Sequence, residues 1–236
     1  MEEAHRLGLR SLALTDRDGV YGMVRAHQKA QELGVHLIVG SEITLFDESN
    51  IILLAMNRCG YANLCKLISK GRLRSVKGMS HVSWEEVCDH AEHVIALWGG
   101  KRSLIVGDDE PEAVAKQLTE AFGDRVYALL TRHREADDAF RERRVRERAE
   151  CYGMRTVAGM EVLYHMRARR ELQDVMTCIR HGVSLTTAGR LIQPNAEHAL
   201  RTPHGFSRLY SDDPASVERT NEIAERCDFS LSQIRY

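Results

Sequence analysis

The segment LTDRDGVYG places two carboxylates, Asp16 and Asp18, two residues apart at the end of a short apolar run. Carboxylates are hard oxygen ligands, so such a pair at a strand end suits a divalent cation or the orientation of a water molecule. The same letters describe an Asp-rich turn feeding a helix, with Asp18 and Gly19 present for turn geometry, and spacing alone favours that reading. His90 and His93 in CDHAEHV stand three apart, a spacing that brings side chains together on a helix. With no third ligand near them in sequence, they read as surface or half-buried histidines. The stretch GRLRSVKGMS carries Arg72, Arg74 and Lys77 on what reads as an exposed loop, the best local candidate for a phosphate contact. In RERRVRERAE, glutamates interleave with arginines at helical pair spacing, which marks a salt-bridged, solvated face rather than a nucleic-acid patch. No Gly-x-Ser-x-Gly elbow or Walker-type loop occurs, and no cysteine has an activating context, so no catalytic nucleophile is assigned.

The elements that must position these groups alternate. Apolar runs of strand length (SLALT, HLIVGSEITLF, IILLAM, VIALWGG, VYALLT and RTVAGM) are separated by stretches of helical period, the pattern of parallel strands joined by helical crossovers. Helices are expected over residues 20–33, stopped by Gly34, from Tyr61 after Gly60, and over 135–152. Ser83 and Glu86 form a capping-box pattern. Pro111 and Gly123 bracket a helix carrying Val114, Leu118 and Phe122. The alternation stops near residue 165. The chain is therefore read as an α/β domain over residues 1–165 and a mainly helical extension over 166–236. In that extension Leu172, Val175, Met176 and Ile179 share one helix face, and Asp212 or Asp213 caps a last helix that opens at Pro214.

A 236-residue chain that is 43% hydrophobic can bury a sizeable core. Its 33 Lys and Arg nearly cancel 34 Asp and Glu, for a formal charge of −1, so any contact with DNA must be local or indirect. Six scattered cysteines without a Cys-x-x-Cys pair read as reduced core thiols. The polar start and the lack of a long apolar run indicate a soluble, cytoplasmic protein with no membrane contact.

LALTDRDGVYG, GVHLIVGSEITL and ILLAMNRCGYANLCKLIS, in that order, resemble the opening of the PHP region of DNA polymerase III alpha subunits, most nearly the error-prone branch. YHMRARRELQDVMTCIRHG, IQPNAEHALRTP and IAERCDFSLSQIRY resemble the stretch that leads on toward the palm in those polymerases. The resemblance implies a distorted β/α barrel whose strand ends hold up to three metals with His, Asp and Glu ligands, suited to activating water against a phosphoester. It also implies a place in translesion synthesis and DNA repair.

The departures from that pattern fall on the metal ligands. The family's His-x-His strand is expected to lie before MEEAHRLGLR, and His5, in a helical segment, does not replace it. Arg17 stands at the histidine of Thr-Asp-His-Asp-Gly, and a guanidinium has no lone pair to give a metal. In GMEVLYH, Glu161 and Leu163 stand where the family carries Asp-x-His, while Glu42 matches its glutamate ligand. His165, in the Tyr-His that follows, is given a structural role. Asp16, Asp18, Glu42 and Glu161 are thus the remaining ligand candidates, a degenerate set without imidazoles. No resident cofactor is expected, with weak Mg²⁺ or Mn²⁺ binding the exception, and Arg17 is expected to pair with one of the carboxylates.

What this implies is a barrel lacking its first strand, with no palm in this chain, that works as a non-catalytic scaffold for polymerase-assembly proteins. A homodimer covering the gap is expected. Two other functions compete with it: a metal-dependent phosphoesterase or exonuclease using the surviving carboxylates, and a free-standing regulatory protein that binds polymerase partners.

Overall fold

The apolar runs form one curled six-stranded sheet in sequence order, in a computed structural model that describes residues 1–234. The last two residues of SLSQIRY lie outside the described residues. Strand β1 (Ser11–Arg17) pairs in parallel with β2 (His36–Thr44), and β4 (Val94–Gly99), β5 (Val126–Thr131) and β6 (Arg155–Gly159) are parallel to one another. Strand β3 (Asn50–Ala55) corrects the all-parallel expectation, because it is antiparallel to both β2 and β4. Residues 45–49 are too few for a helical crossover, so β2 turns straight back as a hairpin. Strands β1 and β6 are the outer strands, and the sheet is a partial barrel.

Helix α1 (Glu2–Arg6) precedes β1, and α2 (Met23–Leu33) connects β1 to β2. Helix α2 starts at Met23 rather than residue 20, and Gly34 ends it at φ +65°, a conformation glycine adopts without steric cost. Between β3 and β4 lie α3 (Arg58–Arg74) and α4 (Trp84–Asp89). Helix α3 opens three residues earlier than expected because Asn57 caps it, accepting the Gly60 N–H at 3.1 Å. It also runs further. Leu64, Leu67 and Gly71 carry its buried face through residue 71, so Arg72 and Arg74 are helical and the loop begins at Ser75. Gly71 lies so close to residues 80–82 that a Cβ would stand 2.5 Å from Ser80 Oγ. The capping box of Ser83 and Glu86 forms, but α4 ends at Asp89. His90 and His93 therefore do not share a helix. His90 binds the Glu86 carbonyl through Nδ1, and exposed His93 lies against Asn57.

Helix α5 (Glu112–Phe122) starts after Pro111 as expected, and α6 (Asp138–Cys151) leads into β6. Helix α6 starts three residues later than residue 135, because the Asp138 carboxylate closes the preceding turn on the His133 and Glu135 N–H groups, at 2.8 and 3.0 Å. Its arginines are largely ion-paired, but not all are solvated. Arg148 is buried and binds the carbonyls of Leu104, Ile105, Gly107 and Asp109. Cys178 and Cys227 are buried, whereas Cys59 and Cys151 are exposed, which corrects the reading of the cysteines as core thiols. Both sit on helix turns that face solvent.

After β6 come α7 (Arg170–His181), α8 (Pro203–Leu209) and α9 (Pro214–Arg226). Asp213 is the cap of α9, accepting the Ser216 N–H at 3.1 Å. The main core joins Leu53, Leu67, Trp98, Phe122 and Ala128 to Tyr210, whose hydroxyl donates to the carbonyls of Leu130 and Gly159 at 3.0 and 2.9 Å. Ile223 and Cys227 pack with Leu54, Ile95 and Tyr127. Tyr210, Ile223 and Cys227, all beyond residue 165, thus pack into the barrel core. Among the described residues no helix is long and apolar enough to cross a membrane.

Arg148→Ala strands several buried carbonyls at once. It is expected to cost about 3 kcal/mol, read as a lowered urea midpoint with an unchanged slope.

Candidate functional site

Strands β1, β2, β4, β5 and β6 run the same way, so their C-terminal ends form one rim. Asp16 and Arg17 at the end of β1, Asp18 just after it and Glu42 near the end of β2 lie on it. His133 and Glu161 lie on it after β5 and β6.

At the β1 end every carboxylate has a partner within the fold. Asp16 Oδ2 accepts the Gly22 N–H at 3.0 Å at the start of α2. Asp18 is buried at φ +49°, in the left-handed region that Asp tolerates better than most residues. Its Oδ1 accepts the Thr44 N–H and its Oδ2 the Thr44 hydroxyl, both at 2.8 Å. Its own N–H donates to the Glu42 carbonyl at 2.7 Å. Its carbonyl accepts both Nε and Nη2 of Arg72, at 3.0 and 2.9 Å. Ser41 Oγ completes the turn, donating to the Asp16 carbonyl at 2.8 Å and accepting the Gly19 N–H at 3.1 Å. The expected pairing of Arg17 is present: its Nε lies 2.8 Å from Glu42 Oε1. The guanidinium is about half exposed, so the pair contributes about 1 kcal/mol at most.

At the β5 and β6 ends lies a cluster that sequence reading missed. The rings of His133 and His198 stack with centroids 4.0 Å apart and planes 10° from parallel, and both are buried. Glu161 reaches His198 Nδ1 through Oε2 at 3.2 Å, and Glu135 Oε1 lies 3.5 Å from His198 Nε2. The Glu161 backbone closes on the other ring, its N–H and its carbonyl oxygen lying 3.1 and 3.2 Å from His133 Nε2. Burial, together with the neighbouring His198, pushes the His133 pKa down to about 4. Burial raises the Glu135 carboxyl, but hydrogen bonds from Lys101 and Arg141 outweigh this and bring it to about 2. Burial likewise opposes ionisation of Glu161, and the hydrogen bond to His198 overcomes it, so its pKa lies below the ordinary carboxylate range. A strand-end position was the available signal for His133. For His198 there was none, because only folding returns it to β6.

Leu163 holds this strip through its backbone, its N–H donating to the His198 carbonyl at 3.0 Å. His165, read as structural, is exposed. Of the phosphate-contact residues, Arg72 is bound to the carbonyls of Asp18 and Met79, and Arg74 forms a two-nitrogen pair with Glu86. Lys77 is exposed on the loop. Among the described residues no three His, Cys, Asp or Glu side chains converge so as to hold a metal ion. The carboxylates of Asp16, Asp18 and Glu42 accept from backbone, hydroxyl and guanidinium donors.

The partial barrel with an acid- and histidine-bearing strand-end rim has the build of a PHP-type domain. The family model described as "PHP domain" matches residues 1–133, and the chain belongs to that family. Over its whole length the chain is similar to error-prone DNA polymerases. It is 33% identical over 235 residues to error-prone DNA polymerase 1 of Agrobacterium fabrum, and 38% identical over 238 residues to that of Alkalilimnicola ehrlichii. Each match covers 100% of this chain but only 21% and 22% of those proteins, so the chain spans about a fifth of the length of the curated relatives it matches. A solved Bifidobacterium adolescentis protein described as a metal-dependent phosphoesterase superposes at a TM-score of 0.46 with 18% identity. That match covers 67% of this chain and 79% of the other, and the likeness is too loose to argue from.

Two outcomes follow from this geometry. His133 has a folded pKa of about 4 against an ordinary value near 6.5, so the fold favours its neutral form. That contribution is complete above about pH 6.5 and is lost as pH falls toward 4, by up to roughly 3 kcal/mol. The urea midpoint should drop between pH 6.5 and 4.5, and His133→Gln should flatten that part of the profile. Asp18→Ala leaves the Thr44 N–H and hydroxyl unmet and should cost about 2–3 kcal/mol in metal-free buffer. Its thermal midpoint should fall equally with and without Mn²⁺.

Proposed function

We propose that this chain is a non-catalytic scaffold within an error-prone DNA polymerase assembly, in which a salt bridge stands where family members place a metal. The observation that carries this is the Arg17 to Glu42 pair at 2.8 Å. A fixed cation sits beside the glutamate ligand position and neutralises it as a metal would, without a lone-pair acceptor or a bound water to activate. The partners of Asp16 and Asp18 support the same reading, since each carboxylate already closes a turn of this chain. Asp16, Asp18, Glu42 and Glu161 are then structural acids. Tight Mg²⁺ or Mn²⁺ binding is not part of the function. The work left to the domain is to present a rigid surface to other parts of a polymerase that carries out translesion synthesis and DNA repair.

Calorimetric titration with Mn²⁺ should show no stoichiometric binding tighter than millimolar, and hydrolysis of a phosphomonoester with added Mn²⁺ should stay at background. Arg17→His is expected to leave both unchanged, because one imidazole does not free the bound carboxylates. Hydrolysis by the wild type that Asp16→Ala abolishes would replace this reading with the phosphoesterase one.

A further inference from the structure

Helix α7 turns its apolar face away from the rest of the chain. Leu172, Val175, Met176 and Ile179 follow the i, i+3, i+4, i+7 spacing of a buried helix face, yet they are 52%, 40%, 54% and 69% exposed. A lone exposed leucine needs no explanation, whereas four on one helix face do. Beside them a groove of about 250 Å³ runs between α7 and residues 163–165, lined by Leu163, Leu172 and Met176 with Arg169 at its rim. The same segment also exposes Leu185 and Leu191.

Charge narrows the choice of occupant. Residues 163–192 hold five arginines (Arg167, Arg169, Arg170, Arg180 and Arg190) against two carboxylates, Glu171 and Asp174. Arg167 and Arg170 are paired with Glu197 and Asp174. Arg169, Arg180 and Arg190 are exposed and make no ion pair among the described residues. A second copy laid face to face would bring these arginines toward their own kind, which like-charge repulsion disfavours. An apolar ridge with an acidic rim would suit the face. In the curated relatives about four-fifths of the length lies outside the portion this chain matches, so chain that could supply the occupant is at hand.

We infer that the apolar face of α7 and its groove dock the part of an error-prone DNA polymerase that lies outside the PHP-like portion, through an apolar surface with an acidic rim. This rests on the scaffold reading and names the surface it uses. It departs from the homodimer expectation, in which a second copy covers the sheet edge.

The test compares Met176→Cys in the isolated chain with the same substitution in a full-length chimera. In that chimera this chain replaces the matching portion of the Alkalilimnicola ehrlichii polymerase. N-ethylmaleimide modification at position 176 is followed by peptide mass spectrometry and normalised to exposed Cys59. Docking predicts labelling slower by about tenfold or more in the chimera. Adding Leu172→Arg and Ile179→Arg should restore the fast rate. Equal rates in both proteins would overturn the inference, as would a concentration-dependent dimer of the isolated chain that Ile179→Arg dissolves. In the isolated chain, Leu172→Arg with Ile179→Arg should move Tm by no more than about 2 °C, because both side chains are more than half exposed. A larger fall would show that the face serves the chain's own packing, and would overturn the inference whether or not the chimera folds. Slow labelling alongside Mn²⁺-dependent hydrolysis would keep the docking surface and remove the non-catalytic reading. Equal labelling without hydrolysis would do the reverse.

Discussion

Asp18 stands in left-handed backbone with each carboxylate oxygen held by Thr44, its N–H on the Glu42 carbonyl and its carbonyl in the fork of Arg72. These bonds join the end of β1, the end of β2 and the last turn of α3. The rest of the rim is arranged around them. With Asp18 fixed, Gly19 reaches Ser41, Gly22 reaches the Asp16 carboxylate, and α2 starts at Met23 in one orientation. A carboxylate that accepts a backbone N–H and a hydroxyl in a buried site has its lone pairs directed at those donors. Charge at this end is then settled among fixed groups, with Arg17 on Glu42 and Arg72 on the turn carbonyl.

This arrangement bears on what the sequence revealed. Strand runs and caps were legible because each depends on neighbours in sequence. Ser83 with Glu86, Asp213 with Pro214, and Pro111 with Gly123 act over a few residues. Arg17 was legible for a different reason, since a guanidinium has the same chemistry in any fold. The direction of β3 was not legible from hydrophobic pattern, because a fully apolar strand reads the same in either direction, and only the five residues of turn before it decide the matter. The extent of α3 was hidden because a basic, glycine-containing stretch resembles a loop, whereas Gly71 is there to let the helix approach residues 80–82. His133 and His198 are 65 residues apart, and their stacking depends on the return of the chain after α7.

Arginine is the recurring fastener. Arg72, Arg125, Arg132, Arg148 and Arg219 each donate to main-chain carbonyls of residues distant in sequence, where a helix end or loop would otherwise leave acceptors unmet. Arg132 also lies 4.5 Å from the Tyr210 ring centroid, and bridges Glu142 to Asp212. A planar fork with five donors suits this work better than an ammonium does. The near-neutral composition therefore conceals an uneven distribution. These barrel arginines are spent on the chain itself, while Arg169, Arg180 and Arg190 beside α7 are exposed and make no ion pair among the described residues.

The segment after residue 165 nonetheless completes the barrel it leaves. Asn195 Nδ2 donates to the His133 carbonyl at 2.7 Å, His198 stacks on His133, and Tyr164 pairs with Ala199. The Tyr210 hydroxyl then joins β5 to β6, and Arg219 of α9 donates to the Thr156 carbonyl of β6 at 2.7 Å. Strand β6 is an outer strand with carbonyls to satisfy, and this segment supplies donors to two of them. Helix α7 is the exception within it, carried between two anchored stretches with its apolar face outward. A surface held at both ends by buried hydrogen bonds is already ordered, so covering it need not cost the entropy of ordering a loop. The same bonds that finish the rim thus hold the exposed face of α7 in a fixed orientation relative to the barrel, which is the physical requirement for a scaffold.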